Sequence, residues 1–508
     1  MVDNVIIARS EFFSHPLARL VVLESRIAKL EGRFTLERRG VPAIFVALGQ
    51  NERAAPGWLF LGDMSVKLEG NALPEVSRFI EPAWPRRSRG CFGAAGGSGG
   101  VRRSKPDLSG VLKILCLATE WSSRNGGLSS VNRELCIALA SVGHDVVCLV
   151  PPGTIDDGER VCASRAQVRL LEAPTTTGKD VGPLACLQRK PQLPYGFIPD
   201  VVIGHGRVTG FAAQTLVQDF FRGALHIHVI HTQPGEIEWY KARDTDGSRR
   251  VENSEIEETV LARAASLVVG VGPRLKRQAD MYLHPHIERP PTFELNPGIK
   301  GADSMMHSPP DVECLFIGRA EDEHLKGLDI AAEAVRYARA RGQCVRLIVR
   351  GAESGAGSDL QDRLSTRVGA LNSVKVYGFN PCKDAVQASY LQASVVLMPS
   401  RTEGFGLVGL EAIGLGVPTL ISDQSGLAEL LTRELPEFAS EVVVPIALDD
   451  QKNYQEWGSR ILQVLKNRDV AFARAVELRL ALSKRHTWEA GATGLVDAIR
   501  GLSCRTNG

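Results

Sequence analysis

The sequence predicts an α/β protein with two successive doubly wound, Rossmann-like domains facing a cleft, preceded by a small N-terminal region of uncertain fold. Three observations predict it. From Val111 onward, short β-branched apolar runs alternate with amphipathic helical runs, the pattern of a parallel sheet covered on both faces. The alternation restarts once, after the turn-rich stretch NPGIKGADSMMHSPPD at residues 296–311. The length, 508 residues, exceeds what a single core holds and fits about three domains.

In chain order, residues 1–85 come first. Leu17, Leu20, Val21, Ile27 and Leu30 recur at helical spacing, and β-like runs follow at 44–48 (IFVAL) and 58–61 (WLFL). No chemistry is legible there. Residues 86–110 form a Gly/Arg-rich linker: from Arg86 to Lys105, six basic and no acidic residues flank a glycine-rich centre that cannot bury enough apolar surface to order itself. The first doubly wound domain spans 111–300. Its strand candidates are 112–118, 145–150, 168–171, 200–204, 225–231 and 266–271, with a helix at 130–142 after the first. The second spans 301–485, with strands at 314–319, 345–350, 374–378, 394–399 and 418–422. Residues 486–508 hold a final helix. Open parallel sheets bind ligands at the carboxyl ends of their strands, so the expected site is the crevice between the two sheets.

Composition excludes several classes. Sixty basic against 58 acidic side chains leave a net charge of +2, so a protein built to coat nucleic acid is not expected. No run of 18 apolar residues is present, and the first twenty residues lack the order of a secretory signal, so a cytoplasmic location is expected. Ten scattered cysteines without a CxxC pair form neither a zinc ribbon nor a disulfide scaffold. No GxGxxG occurs, which argues against a dinucleotide-binding enzyme.

The informative stretch is PSRTEGFGLVGLEAIGLGVPTLISDQSGLAELL, residues 399–431. A strand ends at Pro399, a glycine-containing loop follows, and a helix begins near Leu407. The first N–H groups of such a helix, with its dipole, attract an anion. Glu403 lies in the loop and Glu411 about one turn inside the helix, so both carboxylates can face one cleft. Taken singly, one would cap the helix and the other would be solvated; the whole string, with Gly404, Phe405, Gly406, Pro418 and Gly426 at these offsets, favours a site.

This segment resembles the E-x7-E region of family-4 retaining glycosyltransferases, which have the GT-B fold, and the resemblance runs from about residue 112 to 502. Upstream, FIGRAEDEHLKGLDIA resembles the family's strand–GR–loop–KG–helix segment. The resemblance implies that Arg319 and Lys326, after Gly318, neutralise the diphosphate of a nucleoside-diphosphate sugar without a metal ion. It implies that Glu411 holds the ribose, and that Glu403 with the backbone of Gly404, Phe405, Gly406 and Leu407 holds hexose and phosphate. Gly126 and Gly127, after the first strand, would approach the donor. His231 resembles the histidine that lies against the donor hexose, where it would donate to a hydroxyl or carry part of the developing charge. Gly378 lies where the nucleobase is contacted. His205 and Glu429 are second-rank candidates, since a core histidine and a helix-start carboxylate explain them equally well. Asn296, in NPGI, departs from the family's Asn–Gly turn because Pro297 intervenes. Asp244 and Asp246 spell DxD, but in a polar loop, so no catalytic metal and no other cofactor are expected.

The expected function is transfer of a hexosyl group from a UDP- or GDP-sugar to an unknown acceptor, with retention through a front-face mechanism. Two alternatives stay open: a nucleotide-sugar-binding regulatory or defence-associated protein, and a GT-B sugar-nucleotide epimerase. The first-domain text TEWSSRNGGLSSVNRELCIAL also resembles a subgroup found in signalling and defence proteins.

Overall fold

The computed structural model describes residues 34–38, 58–61, 64–68, 108–122, 126–175, 182, 184–241, 247–284, 288–299, 308–353, 355–370, 372–380 and 383–504. The chain divides into two units, Met1–Val101 and Arg102–Gly508. In the first, β1 (Phe34–Arg38), β2 (Trp58–Leu61) and β3 (Met64–Leu68) form an antiparallel sheet in the order β1-β3-β2. Of these, only the WLFL strand was expected. The helical spacing at Leu17–Leu30, the 44–48 run and residues 86–107 of the linker lie outside the described residues.

The second unit holds two parallel sheets. The first comprises β4 (Lys113–Leu117), β5 (Asp145–Val150), β6 (Val168–Glu172), β7 (Val201–His205), β8 (Leu225–Ile230), β9 (Leu267–Val271) and β10 (Thr292–Leu295), in the order β10-β9-β8-β7-β4-β5-β6. The second comprises β11 (Glu313–Ile317), β12 (Arg346–Ala352), β13 (Val374–Gly378), β14 (Val395–Met398), β15 (Thr419–Ser422) and β16 (Val443–Val444), in the order β13-β12-β11-β14-β15-β16. In each, the chain winds outward from one strand and then returns to that strand's other side. β4 lies between β5 and β7, and β11 between β12 and β14. Such a reversal leaves a crevice at the carboxyl ends of the strands.

The strands read as apolar runs because helices bury them on both sides. β4, β5, β7 and β9 are almost wholly buried. The helix Gly127–Ser141 buries Val131, Leu135, Ala138 and Leu139, spaced for one face. In this second unit the two strands missing from the sequence reading, β10 and β16, are edge strands of four and two residues, too short or too polar for a periodic signal.

The last helix, Trp488–Cys504, packs on Gly127–Ser141 and on β10, so the chain's end completes the first lobe. Trp488, Ala492, Leu495, Val496 and Ile499 are buried there. The crossing is tight: Ile299 donates its N–H to His486 O at 3.1 Å, and a Cβ on Gly298 would collide with the Thr487–Trp488 backbone. Among the described residues no helix is long and apolar enough to cross a membrane.

One face of β8 carries His226 and His228, both buried. His228 Nε2 pairs with Glu258 Oε1 at 2.7 Å, on the helix Gly247–Ala264. His226 is pushed down from 6.5 to about 3, by burial first and by His228 second. Since the folded value lies below the unfolded one, the unfolded chain binds the extra proton. Stability therefore falls as pH drops through about 6.5 and continues to fall toward about 3. At pH 5 this histidine alone costs about 2 kcal/mol. His226→Leu should shrink the stability lost between pH 7 and pH 5 by about that amount, measured by urea unfolding at both values. An unchanged loss would show that His226 does not titrate as described.

Candidate active site

The second lobe supplies the charges. β14 ends at Met398, and the loop that follows is held by backbone contacts with the next turn. Glu403 N donates to Gln424 O at 2.9 Å and Leu427 N to Phe405 O at 2.7 Å. A Cβ on Gly426 would lie 2.5 Å from Gly404 O, so the two turns meet only because position 426 lacks a side chain. Gly406 adopts φ +106°, a left-handed conformation open to glycine, and starts the helix Leu407–Gly414. The first N–H groups of that helix have no partner within it.

Lys326 closes the short helix Glu323–Lys326. The next residue, Gly327 (φ +71°), is pressed against the Pro399 carbonyl, which sets the two segments side by side. Lys326 Nζ donates to Glu403 Oε2 at 2.6 Å, and the Ser400 hydroxyl approaches the same oxygen at 3.4 Å. The pair is half-buried, the two side chains being 27% and 21% exposed, so each keeps a face toward a ligand. Arg319 is exposed just beyond β11. Gly318 before it has its carbonyl against Gly351, which has no room for a Cβ.

The first lobe meets these groups along a seam of glycines. A Cβ on Gly126 would lie 3.6 Å from Arg319 Nη2, and one on Gly127 2.8 Å from Leu407 Cδ1. One on Gly404 would lie 2.5 Å from His231 O. Thus Gly126, Gly127, the His231 carbonyl, Arg319, Gly404 and Leu407, all expected at the cleft from one resemblance, lie along this seam. Phe405 contributes backbone only. Its ring is buried against Gly272 of the first lobe.

Glu411 sits one turn inside its helix, exposed, with Oε2 accepting from the Tyr390 hydroxyl at 2.9 Å. Burial, then Glu411, push the Tyr390 hydroxyl well above its ordinary value, so it stays protonated as a donor. Sequence reasoning missed Tyr390, which precedes β14 by one helical end and carries no motif of its own. Gly378 ends β13, two strands from β11, apart from the cationic pair and next to the exposed Phe379.

Two second-rank candidates are engaged with other protein groups. His205 is wholly buried, between His231 and Asn132. Glu429 is committed elsewhere: Arg277 grips both its oxygens at 2.8 Å, and Arg274 lies at 3.4 Å. Both arginines belong to the first-lobe helix Gly272–Leu283, so Glu429 clasps the lobes together. Arg274 also pairs with Glu236 at 2.8 Å, and Glu236 accepts from the Thr402 hydroxyl. The role expected of His231 also narrows. Burial, then His228, push it down to about 3, so at neutral pH it is an uncharged hydrogen-bonding group.

Among the described residues no group of three or more His, Cys, Asp or Glu is placed to hold a metal ion, and Asp244 and Asp246 lie outside them. A cavity of about 300 Å3 lined by Ile413, Phe438, Val464, Arg474 and Leu478 opens elsewhere in the second lobe and includes no expected site residue. Because Gly127 touches Leu407 across the seam, Gly127→Val should overpack it. The cost is about 1.4 kcal/mol, a roughly tenfold weaker grip on a nucleotide sugar. Calorimetric titration of the variant checks this, and wild-type affinity would show that the seam does not close around the ligand.

The comparisons with known proteins follow the same outline. A D-inositol 3-phosphate glycosyltransferase of Segniliparus rotundus is 30% identical over 220 residues, 42% of this chain and 46% of the relative. One from Corynebacterium urealyticum is 30% identical over 192 residues, 37% and 42%. The chain spans about half the length of such curated relatives. Among solved structures, sucrose-phosphate synthase from Thermosynechococcus elongatus superposes with a TM-score of 0.58 at 18% identity, covering 77% of this chain and 100% of that one. Anabaena HepE in complex with UDP and glucose superposes with a TM-score of 0.53 at 16% identity, covering 77% and 99%. These likenesses show the GT-B fold. Residues 115–495 match the model of one family over most of the chain, and the protein therefore belongs to the Family 4 Glycosyltransferases in conflict systems.

Proposed function

We propose that the protein is a retaining glycosyltransferase that moves a hexosyl group from a UDP- or GDP-sugar to an acceptor, without a metal ion. One observation carries this: Lys326, paired with Glu403 at 2.6 Å, and Arg319, lying over Gly126, bring two cations to the glycine seam beside a helix start. When the anomeric bond breaks, negative charge develops on the departing diphosphate. Two fixed cations and the N–H groups at Leu407 stabilise that charge more than they stabilise the bound donor. An ammonium has three N–H donors, so Lys326 can keep Glu403 and still serve phosphate oxygens. Glu403 accepts from a hexose hydroxyl and Glu411, steadied by Tyr390, from the ribose. His231 hydrogen-bonds the hexose as a neutral ring. The departing phosphate takes the acceptor's proton on the face it leaves, which gives retention.

The UDP and glucose named with the HepE structure support a nucleotide-sugar donor. The family's description supports a part in biological conflict over bulk glycan synthesis. A thermal-shift panel of UDP-, GDP- and ADP-sugars followed by mass spectrometry of the consumed donor tests the assignment. Release or transfer of the sugar, persisting in EDTA, is the expected result. Stabilisation without consumption indicates a binder, and an isomerised sugar an epimerase. Lys326→Ala should lose about 3 kcal/mol of transition-state stabilisation, roughly a hundredfold in kcat/KM. Wild-type turnover in that variant would remove Lys326 from the mechanism.

A further inference from the structure

Behind His231 runs a polar chain that the proposed chemistry does not use. His231 Nε2 lies 2.8 Å from Nδ1 of His205, and His205 Nε2 lies 2.9 Å from Oδ1 of Asn132. The three residues come from different elements: the helix Gly127–Ser141, the end of β7, and the residue after β8. Asn132 and His205 are fully buried. The backbone of His205 is fixed as well. Its N–H donates to the Thr209 hydroxyl at 2.8 Å, and that hydroxyl donates to Leu117 O at 3.1 Å. Asn132 is oriented from its far side, with Nδ2 donating to Cys148 Sγ at 3.4 Å and the Cys136 thiol approaching Oδ1 at 3.8 Å.

Burial holds His205 well below its ordinary value, with His231 and His228 adding to the effect, so both rings of the chain are neutral. A neutral imidazole has one N–H and one lone pair, and a hydrogen bond at one nitrogen decides what the other can do. With the amide oxygen toward it, His205 carries its proton on Nε2 and a lone pair on Nδ1. His231 must then donate from Nε2, which leaves the lone pair on its own Nδ1.

We infer that Asn132 and His205 are positioning residues that fix the tautomer of His231, so that its remaining nitrogen, Nδ1, is a hydrogen-bond acceptor matched to a hydroxyl of the bound sugar. The consequence for sugar binding rests on the proposed function, whereas the tautomer itself does not. The arrangement favours a hydroxyl at that point over a carbonyl or carboxylate oxygen, which would set two acceptors against each other.

The test uses the full chain labelled with 15N-histidine, with long-range NMR correlations near neutral pH and His231→Gln to identify the His231 signals. The expected wild-type spectrum has a pyrrole-type Nε2 and a pyridine-type Nδ1 at His231. Asn132→Asp, almost isosteric, should invert this. Because a lone charge in this fully buried site is costly, the carboxyl either protonates and donates to His205 Nε2 or forms an ion pair with a doubly protonated ring, and in both cases His205 acquires a proton on Nδ1. His231 must then accept at Nε2 and carry its own proton on Nδ1. Asn132→Leu, which offers no partner, should give averaged His231 signals and serves if the aspartate variant does not fold. In donor turnover, Asn132→Asp should lower kcat about tenfold with KM little changed, since a positioned group acts mainly at the transition state. Unaltered His231 signals in the variants, or a pyrrole-type Nδ1 in the wild type, would overturn the inference. If the wild type consumes no nucleotide sugar, the proposed function fails while the spectra still decide the tautomer.

Discussion

The near-contact of two glycine-lined edges governs the rest of the molecule. Gly126 and Gly127 on one lobe make room for the Arg319 and Leu407 side chains of the other, and Gly404 on the second lobe lets its backbone approach the His231 carbonyl. A side chain at 404 would press on the His231 carbonyl, and one at 127 on the Leu407 side chain, so either would tend to push the lobes apart. The cations would then face water, where their attraction for a phosphate is weak, instead of a narrow slot where it is strong. The parallel sheets serve this approach: each ends its central strand at a winding reversal, and each reversal delivers one side of the seam.

Much of this was legible in the sequence, for identifiable reasons. A strand such as DVVCLV must be apolar after its first residue when both faces are covered, so its limits showed clearly. The helix starting at Leu407 was legible because glycines, a β-branched strand and the helical run meet at fixed offsets. What was not legible is pairing at a distance. Nothing near Tyr390 announces that its hydroxyl reaches Glu411, twenty-one residues on. Likewise Glu429 looks like an ordinary helix-start carboxylate until Arg277, 152 residues earlier, is found gripping it. The charge state of His231 was not legible either, because burial by elements far away in the chain sets it.

The first lobe keeps polar groups in its interior at some cost. Asn132, His205, His228 and Glu258 are all buried, and each is hydrogen-bonded. An apolar core of the same volume would be at least as stable. Retaining such a chain therefore points to a demand for orientation, and it leads to His231. The same physics makes this lobe sensitive to acid, since its neutral rings resist protonation only while the fold holds them.

The clasp between Glu429 and Arg277 has a different character. Arg277 is 59% exposed, and the pair lies at the rim where dissolved ions reach it. Mobile electrolyte competes for such a contact within a Debye length of about 8 Å at physiological strength. How readily the jaws part is thus written partly in the ionic medium and not wholly in the polypeptide.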